Sequence, residues 1–381
     1  MKQPTTTWRP GLTGRIALVA LGIVSLLCGI WGGLIRLSLI LPLPSNNANW
    51  ITFHGALMVC GFLGTVITLE RAVGLGKLWT YAAPLLTGLG ALLLVLGRLG
   101  RPPLLLIAAG SAVFLAVTCR IVRLQRALFT LVMALAAALW LVGNCLWLRG
   151  WDINQIVPWW MGFLVLTIVG ERLDLSRFQR PSSWSRPLFY LALAAFLSGL
   201  LISAFSPAAG ERCLGAGLLA LAAWLGRFDI ARRSVRQPGL PRFMALCLLA
   251  GYVWLASAGL LLLRFSPLGL GLHYDATLHS VFLGFVFSMI FGHAPVIFPS
   301  VLGVQPSFRR RFYAHLLLLH LALMLRVGGD LAAWALGRQW GGIGNALAIL
   351  LFLANTISAL AFPVRPRMPS PATDAKRSLE R

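Results

Sequence analysis

The sequence predicts an all-α integral membrane protein with about twelve transmembrane helices in three quasi-equivalent groups of four. Three observations carry this. The 381 residues are 58% hydrophobic and only 11% charged, with a mean hydropathy of +0.82, a balance that soluble domains do not show. Apolar runs of 18 or more residues recur along the chain, and about 20 helical residues cross a bilayer. Finally, one short signature occurs three times at a fixed register, and repeated sequence implies repeated structure.

The apolar runs place spans at about 14–40, 50–70, 79–97, 102–119, 127–147, 155–171, 187–205, 211–227, 242–264, 276–298, 312–336 and 341–362. Lys2, Arg9 and Arg15 precede the first in the manner of a secretory leader. Its apolar stretch is too long for one, so it reads as a retained span. Arg326 and Asp330 interrupt the eleventh. No soluble domain separates the spans. Residues 1–362 read as a single domain, with pseudo-repeats of about 14–119, 127–227 and 242–362. Residues 363–381 read as a disordered, Pro-rich inner tail. Cys28, Cys60, Cys119, Cys145, Cys213 and Cys247 are scattered within spans without a Cys-x-x-Cys pair. They signal neither a disulfide framework nor a thiolate metal site and read as small apolar fillers.

The net charge of +23 would suit nucleic acid, but its placement points elsewhere. With the N-terminus inside, 25 of the 33 Lys and Arg fall on the inner side, including Arg120/Arg123/Arg126, Arg232/Arg233/Arg236 and Arg309/Arg310/Arg311. That is the positive-inside asymmetry of a multi-pass protein. The expected partner of the surface is therefore the lipid bilayer, with anionic lipid attracted secondarily, and not nucleic acid.

The signature is a Gly-Phe pair with a polar residue nine positions after the Gly: Gly61-Phe62 to Glu70, Gly162-Phe163 to Glu171, and Gly284-Phe285 to His293. It falls on the second, sixth and tenth spans, the second of each group. Arg36, Arg149 and Arg264 echo the repeat by closing the first span of each group at the outer surface, where snorkelling is the ordinary explanation.

All six histidines lie in or near spans, and ionisable groups within a membrane are functional candidates. His54 sits roughly 6–8 Å below the outer end of the second span at 1.5 Å per residue. His279 sits at a matching depth on the tenth. Two imidazoles at one depth suit the two faces of one haem iron; two hydrogen-bonded core histidines are the competing reading. The α-helical step puts Met58, Gly61, Thr65 and Thr68 on the His54 face, with Gly61 leaving room for a flat macrocycle. His293 lies roughly 21 Å deeper than His279, near the inner side with Glu70 and Glu171. Those three, with His315 as a further candidate, form a ligand mix for iron, copper or zinc. Ordinary ion pairing with Arg71 and Arg172 competes with that reading, and headgroup contact competes for His315. His320 is five residues from His315 and should not share its ligand set. His273 lies at the outer edge, beside Asp275, the expected cap of the tenth helix. Arg326 and Asp330 are spaced to pair, and Arg326 and Arg264 are candidates for haem propionates.

These residues resemble subunit I of the haem-copper oxidase superfamily, in which twelve helices form three groups of four. The stretch His54-Gly55-Ala56-Leu57-Met58 is similar to that family's His-Gly-x-x-Met on the second helix, and His279 falls at the partner position on the tenth. The likeness implies a haem between His54 and His279. The family's copper site is missing, because no His occurs between 55 and 272. A proton-pumping oxygen reductase is therefore not expected. A closer resemblance is to the NnrS-like group of twelve-helix membrane haem proteins, carried by LHSVFLGFVFSMIFGHAP on the tenth span. It implies b-type haem, an association with copper and bacterial nitric oxide metabolism, and residence in the bacterial inner membrane with both termini cytoplasmic. The expected function is to bind or handle nitric oxide or to transfer electrons from a donor; any enzyme activity would be that of a haem-dependent oxidoreductase. The competing class is a transporter of a metal ion or small solute through the Glu70/Glu171/His293 site.

Overall fold

The computed structural model describes residues 11–42, 48–176, 182–303 and 308–361, and these are all-helical, with no strand. Twelve helices are long and apolar enough to cross a membrane: α1 Leu12–Arg36, α2 His54–Leu75, α3 Leu78–Val95, α4 Arg101–Leu124, α5 Leu128–Leu148, α6 Ile153–Leu175, α7 Ser185–Ser203, α8 Pro207–Phe228, α9 Leu240–Phe265, α10 Leu272–Phe298, α11 Phe312–Leu331 and α12 Ala335–Ala361. Each predicted span is one of these helices. The expected tail from Pro363 and the basic start at Lys2 and Arg9 lie outside the described residues.

Boundaries shift by up to six residues, the most at α12, which begins at Ala335 rather than near 341. α10 begins at Leu272 rather than near 276, which brings His273, Tyr274 and Asp275 into its first turn. Its N-cap is Gly271, and no side chain caps it; the expected capping role of Asp275 is corrected here. α11 ends at Leu331, because the chain turns at Ala332–Trp334 before α12.

The end of the bundle where α1 begins is called proximal below, and the other end distal. Even-numbered helices run from distal to proximal. The three signature helices are the most interior: α2, α6 and α10 are 67%, 78% and 61% buried over their apolar windows, and no other span exceeds 56%. Their signature glycines explain part of this. A Cβ on Gly61 would meet Ser25 of α1, one on Gly162 would meet Leu139 of α5, and one on Gly284 would meet Trp254 of α9, all at under 3 Å. Each glycine thus seats its helix against the helix before it, the close small-residue packing that membrane interiors favour.

Two stretches depart from the α-helix. Leu57–Gly64 of α2 and Ser280–Phe287 of α10 are π-helical, a rare form that is frequently found at functional sites. α6 is α-helical throughout Ile153–Ser176. The two signature helices with π-turns are the two that carry histidines.

Candidate functional site: two cavities in line

Two cavities lie along the centre of the bundle, both lined by α2, α6 and α10. The distal one encloses about 120 Å³ of open space and the proximal one about 130 Å³. Leu63 lines both, while Phe62 lines the proximal and Phe287 the distal cavity. These two rings stack with centroids 6.1 Å apart. Phe62 and Phe287, one from each π-helical stretch, thus lie with Leu63 where the two cavities meet.

His54, Gly55, Met58, His279, Arg326 and Asn345 line the distal cavity, with apolar side chains and Trp160 completing it. Nδ1 of His54 lies 2.6 Å from the carbonyl oxygen of Gly29 on α1. Nδ1 of His279 lies 2.8 Å from the carbonyl oxygen of Asp275, one turn earlier. A carbonyl only accepts, so each Nδ1 carries the proton and each Nε2 carries the lone pair. That is the tautomer in which a histidine ligates a metal, with its other nitrogen fixed by a backbone carbonyl.

Small residues make the room. A Cβ on Gly33 would strike the His54 ring at 2.7 Å, and one on Gly29 would strike Met58 Sδ at 2.8 Å. Gly55, on the cavity wall, has nothing within 4 Å of its Cβ position. The expectation for Gly61 is corrected: it packs against Ser25 and Ala91 and leaves no room for a macrocycle. The π-turns also change the register. His54 precedes Gly61 by seven residues and His279 precedes Gly284 by five, yet both reach one cavity.

Arg326 does not pair with Asp330 as its spacing suggests. It forks onto Asp275, with Nε 3.1 Å from Oδ2 and Nη2 3.2 and 3.0 Å from the two oxygens. Asp330 pairs with Arg338 instead. Asp275 also sets Oδ1 3.3 Å from Nδ1 of His279, so it anchors both a histidine and the arginine. Nη1 of Arg326 takes no part in the fork. Arg264 is not brought to this cavity. It is exposed, with its guanidinium 5.2 Å from the Phe265 ring, and Phe265 stacks on His273 at 3.9 Å.

Glu70, Glu171 and His293 line the proximal cavity together, as the repeat predicts. Their neighbours change what they can do. Arg71 pairs with Glu171. Arg172, 2% exposed, places Nη2 2.7 Å from Nε2 of His293, whose Nδ1 lies 2.7 Å from the Met289 carbonyl oxygen. Both imidazole nitrogens are therefore engaged. Asp229, just past α8, is buried near Arg172. Burial pushes its carboxyl above the usual carboxylate range, while the Arg172 guanidinium and the Ala231 N–H pull it back. Among the described residues, no three His, Cys, Asp or Glu side chains converge as a metal centre requires.

His315 belongs to neither set. It is 1% exposed, near Phe243, Phe291, Phe312 and Phe352, with Nδ1 3.2 Å from the Asn355 amide. His320 takes the indole N–H of Trp254 at 3.0 Å. A buried chain that the sequence did not signal joins α2 to α5 and α6: the Trp140 indole donates to Cys60, while the Cys60 thiol and the Trp160 indole donate to Asn144.

The fold and its central cavities define a multi-pass helical membrane protein. Residues 15–361 match a family described as a domain of unknown function, DUF8744, and the chain belongs to that family. No curated protein and no solved structure matches it.

Proposed function

We propose that this protein is a b-type haem protein of the membrane, in which His54 and His279 would hold the haem iron. One observation carries the reading. Two histidines from different helices line one cavity, each with Nδ1 committed to a backbone carbonyl. The open space at Gly55 and the apolar walls suit a flat, largely apolar group.

Haem, when bound, supplies a one-electron couple. Gly29 and Asp275 hold the two imidazoles in the ligating tautomer. Asp275 positions Arg326, whose Nη1 remains for a carboxylate such as a propionate. Leu278, Phe282 and Ile349 give the cavity apolar walls. Ligation by both histidines favours electron transfer; release of one would open a position for nitric oxide. The oxidase-like grouping in three fours, the NnrS likeness, and residence in a bacterial inner membrane with both termini cytoplasmic belong to this proposal. The transporter reading has less support, because Arg71 and Arg172 already engage Glu171 and His293.

The test is the reduced-minus-oxidised spectrum of purified protein, with and without nitric oxide. A b-type α band is expected. His54→Ala and His279→Ala should each lower haem content about tenfold, the loss of some 1.4 kcal/mol or more of binding energy, while His315→Ala should keep it. Colourless protein from haem-replete cells, or equal haem in all three variants, overturns the assignment.

A further inference from the structure

The proximal cavity has its own chemistry, independent of what the distal one holds. Its walls are apolar except at one end, where Glu70, Glu171 and His293 meet, and Phe62, Phe298 and Phe352 give it aromatic faces. Val19 and Ile23 of α1, Ile297 of α10 and Leu353 of α12 line it while remaining partly exposed. Those four side chains are apolar and lie within spans, so an occupant that enters between them would come from the lipid phase rather than from water.

The polar end selects the head of that occupant. Glu70 and Glu171 are balanced by Arg71 and Arg172, so neither an anion nor a cation is favoured. Arg71 takes Glu171, Arg172 and Met289 take both nitrogens of His293, and Thr167 spends its hydroxyl on the Phe163 carbonyl. Among the described residues no hydrogen bond engages the Glu70 carboxylate. It remains as an acceptor on the cavity wall, suited to a hydroxyl donor. The aromatic faces favour a flat ring, and the apolar length favours a chain.

We infer that the proximal cavity binds a membrane-soluble quinol, with its ring among the phenylalanines and a hydroxyl donated to Glu70.

Titration calorimetry of the detergent-purified full chain, under anaerobic reducing conditions, with a decyl-substituted benzoquinol tests this. One saturable site is expected. Glu70→Gln, which keeps the shape, should weaken it at least tenfold. Ala294→Trp, which fills the cavity, should abolish it, and Leu347→Trp on the exposed face of α12 should leave it unchanged. The oxidised benzoquinone, with no hydroxyl to donate, should bind more weakly. No saturable heat overturns the inference, as does binding that Glu70→Gln and Ala294→Trp both leave intact, which marks partition into the micelle. Melting curves of each variant separate lost binding from lost fold, and Glu70→Gln keeps the test decisive if Ala294→Trp does not fold. The readout involves no haem, so failure here and failure of the haem assignment are distinguishable.

Discussion

Asp275 shows how much one side chain can organise. It holds His279 through its own carbonyl, approaches the same imidazole with its carboxylate, and receives the fork of Arg326. Asp275→Asn keeps the carbonyl and loses the charge. Both partners retain some exposure, 22% for Asp275 and 9% for Arg326, so the expected destabilisation is about 1–2 kcal/mol. With haem bound as proposed, a redox titration of the variant should show a raised midpoint potential, because the negative charge beside His279 is removed. Gly55→Leu should fill the open space beside His54 and lower haem content roughly tenfold, at the scale of an overpacked core; pyridine haemochrome assay checks this. Arg172→Ala should cost about 3 kcal/mol or more in denaturation assays, since it strands His293 and Asp229. His54, His279 and the Glu70/Glu171/His293 set were readable as positions in the sequence, because intramembrane ionisable residues stand out. Their partners were not. Arg326 chooses Asp275 on α10 over Asp330 on its own helix, and Arg264 turns to Phe265; pairing between helices is set by packing that spacing along one helix does not encode.

The helices themselves were legible, because a run of apolar residues of bilayer length is a strong signal. Their internal geometry was not. An α-helical step of 100° put Gly61 and Met58 on one face of α2. The π-turns instead let Met58 join His54 while Gly61 turns to α1 and α3. Nothing in LMVCGFLG or SVFLGFVF marks a π-helix by composition, since the i→i+5 bonds arise where neighbouring helices fix both ends of a segment. A direct prediction follows for α2. Deleting Val59 should return the segment toward α-helix and turn His54 by about 100° relative to Glu70. The variant should keep its helical circular dichroism and lose its haem band. Retention of haem would mean that the π-turn does not set the histidine's direction.

At the scale of the whole molecule, the arrangement of twelve helices around α2, α6 and α10 was foreshadowed by the repeated Gly-Phe signature, and the seating of each signature glycine on the preceding helix gives that repeat a physical basis. The two cavities were not foreshadowed, since voids arise from the fit of several helices at once. The proximal end carries Arg120/Arg123, Arg232/Arg233 and Arg309/Arg310/Arg311. The positive-inside rule then predicts that a reporter enzyme fused after residue 361 is active in the cytoplasm. Periplasmic activity of the same fusion would reverse the assigned orientation.

The stacking of the two cavities along the bundle also has an electrical consequence. His279 and His293 are fourteen residues apart on α10, at most roughly 21 Å at the α-helical 1.5 Å per residue and less across the π-helical Ser280–Phe287, out of a hydrocarbon layer of about 30 Å. A charge passing from one cavity to the other would therefore cross much of the membrane voltage. A full crossing is worth about 2.3 kcal/mol per 100 mV, so this partial one is worth at most about 1.6 kcal/mol. In the proposed orientation, with the proximal side cytoplasmic and negative, that field would drive electrons toward His54 and His279, and loss of the membrane potential would remove this push.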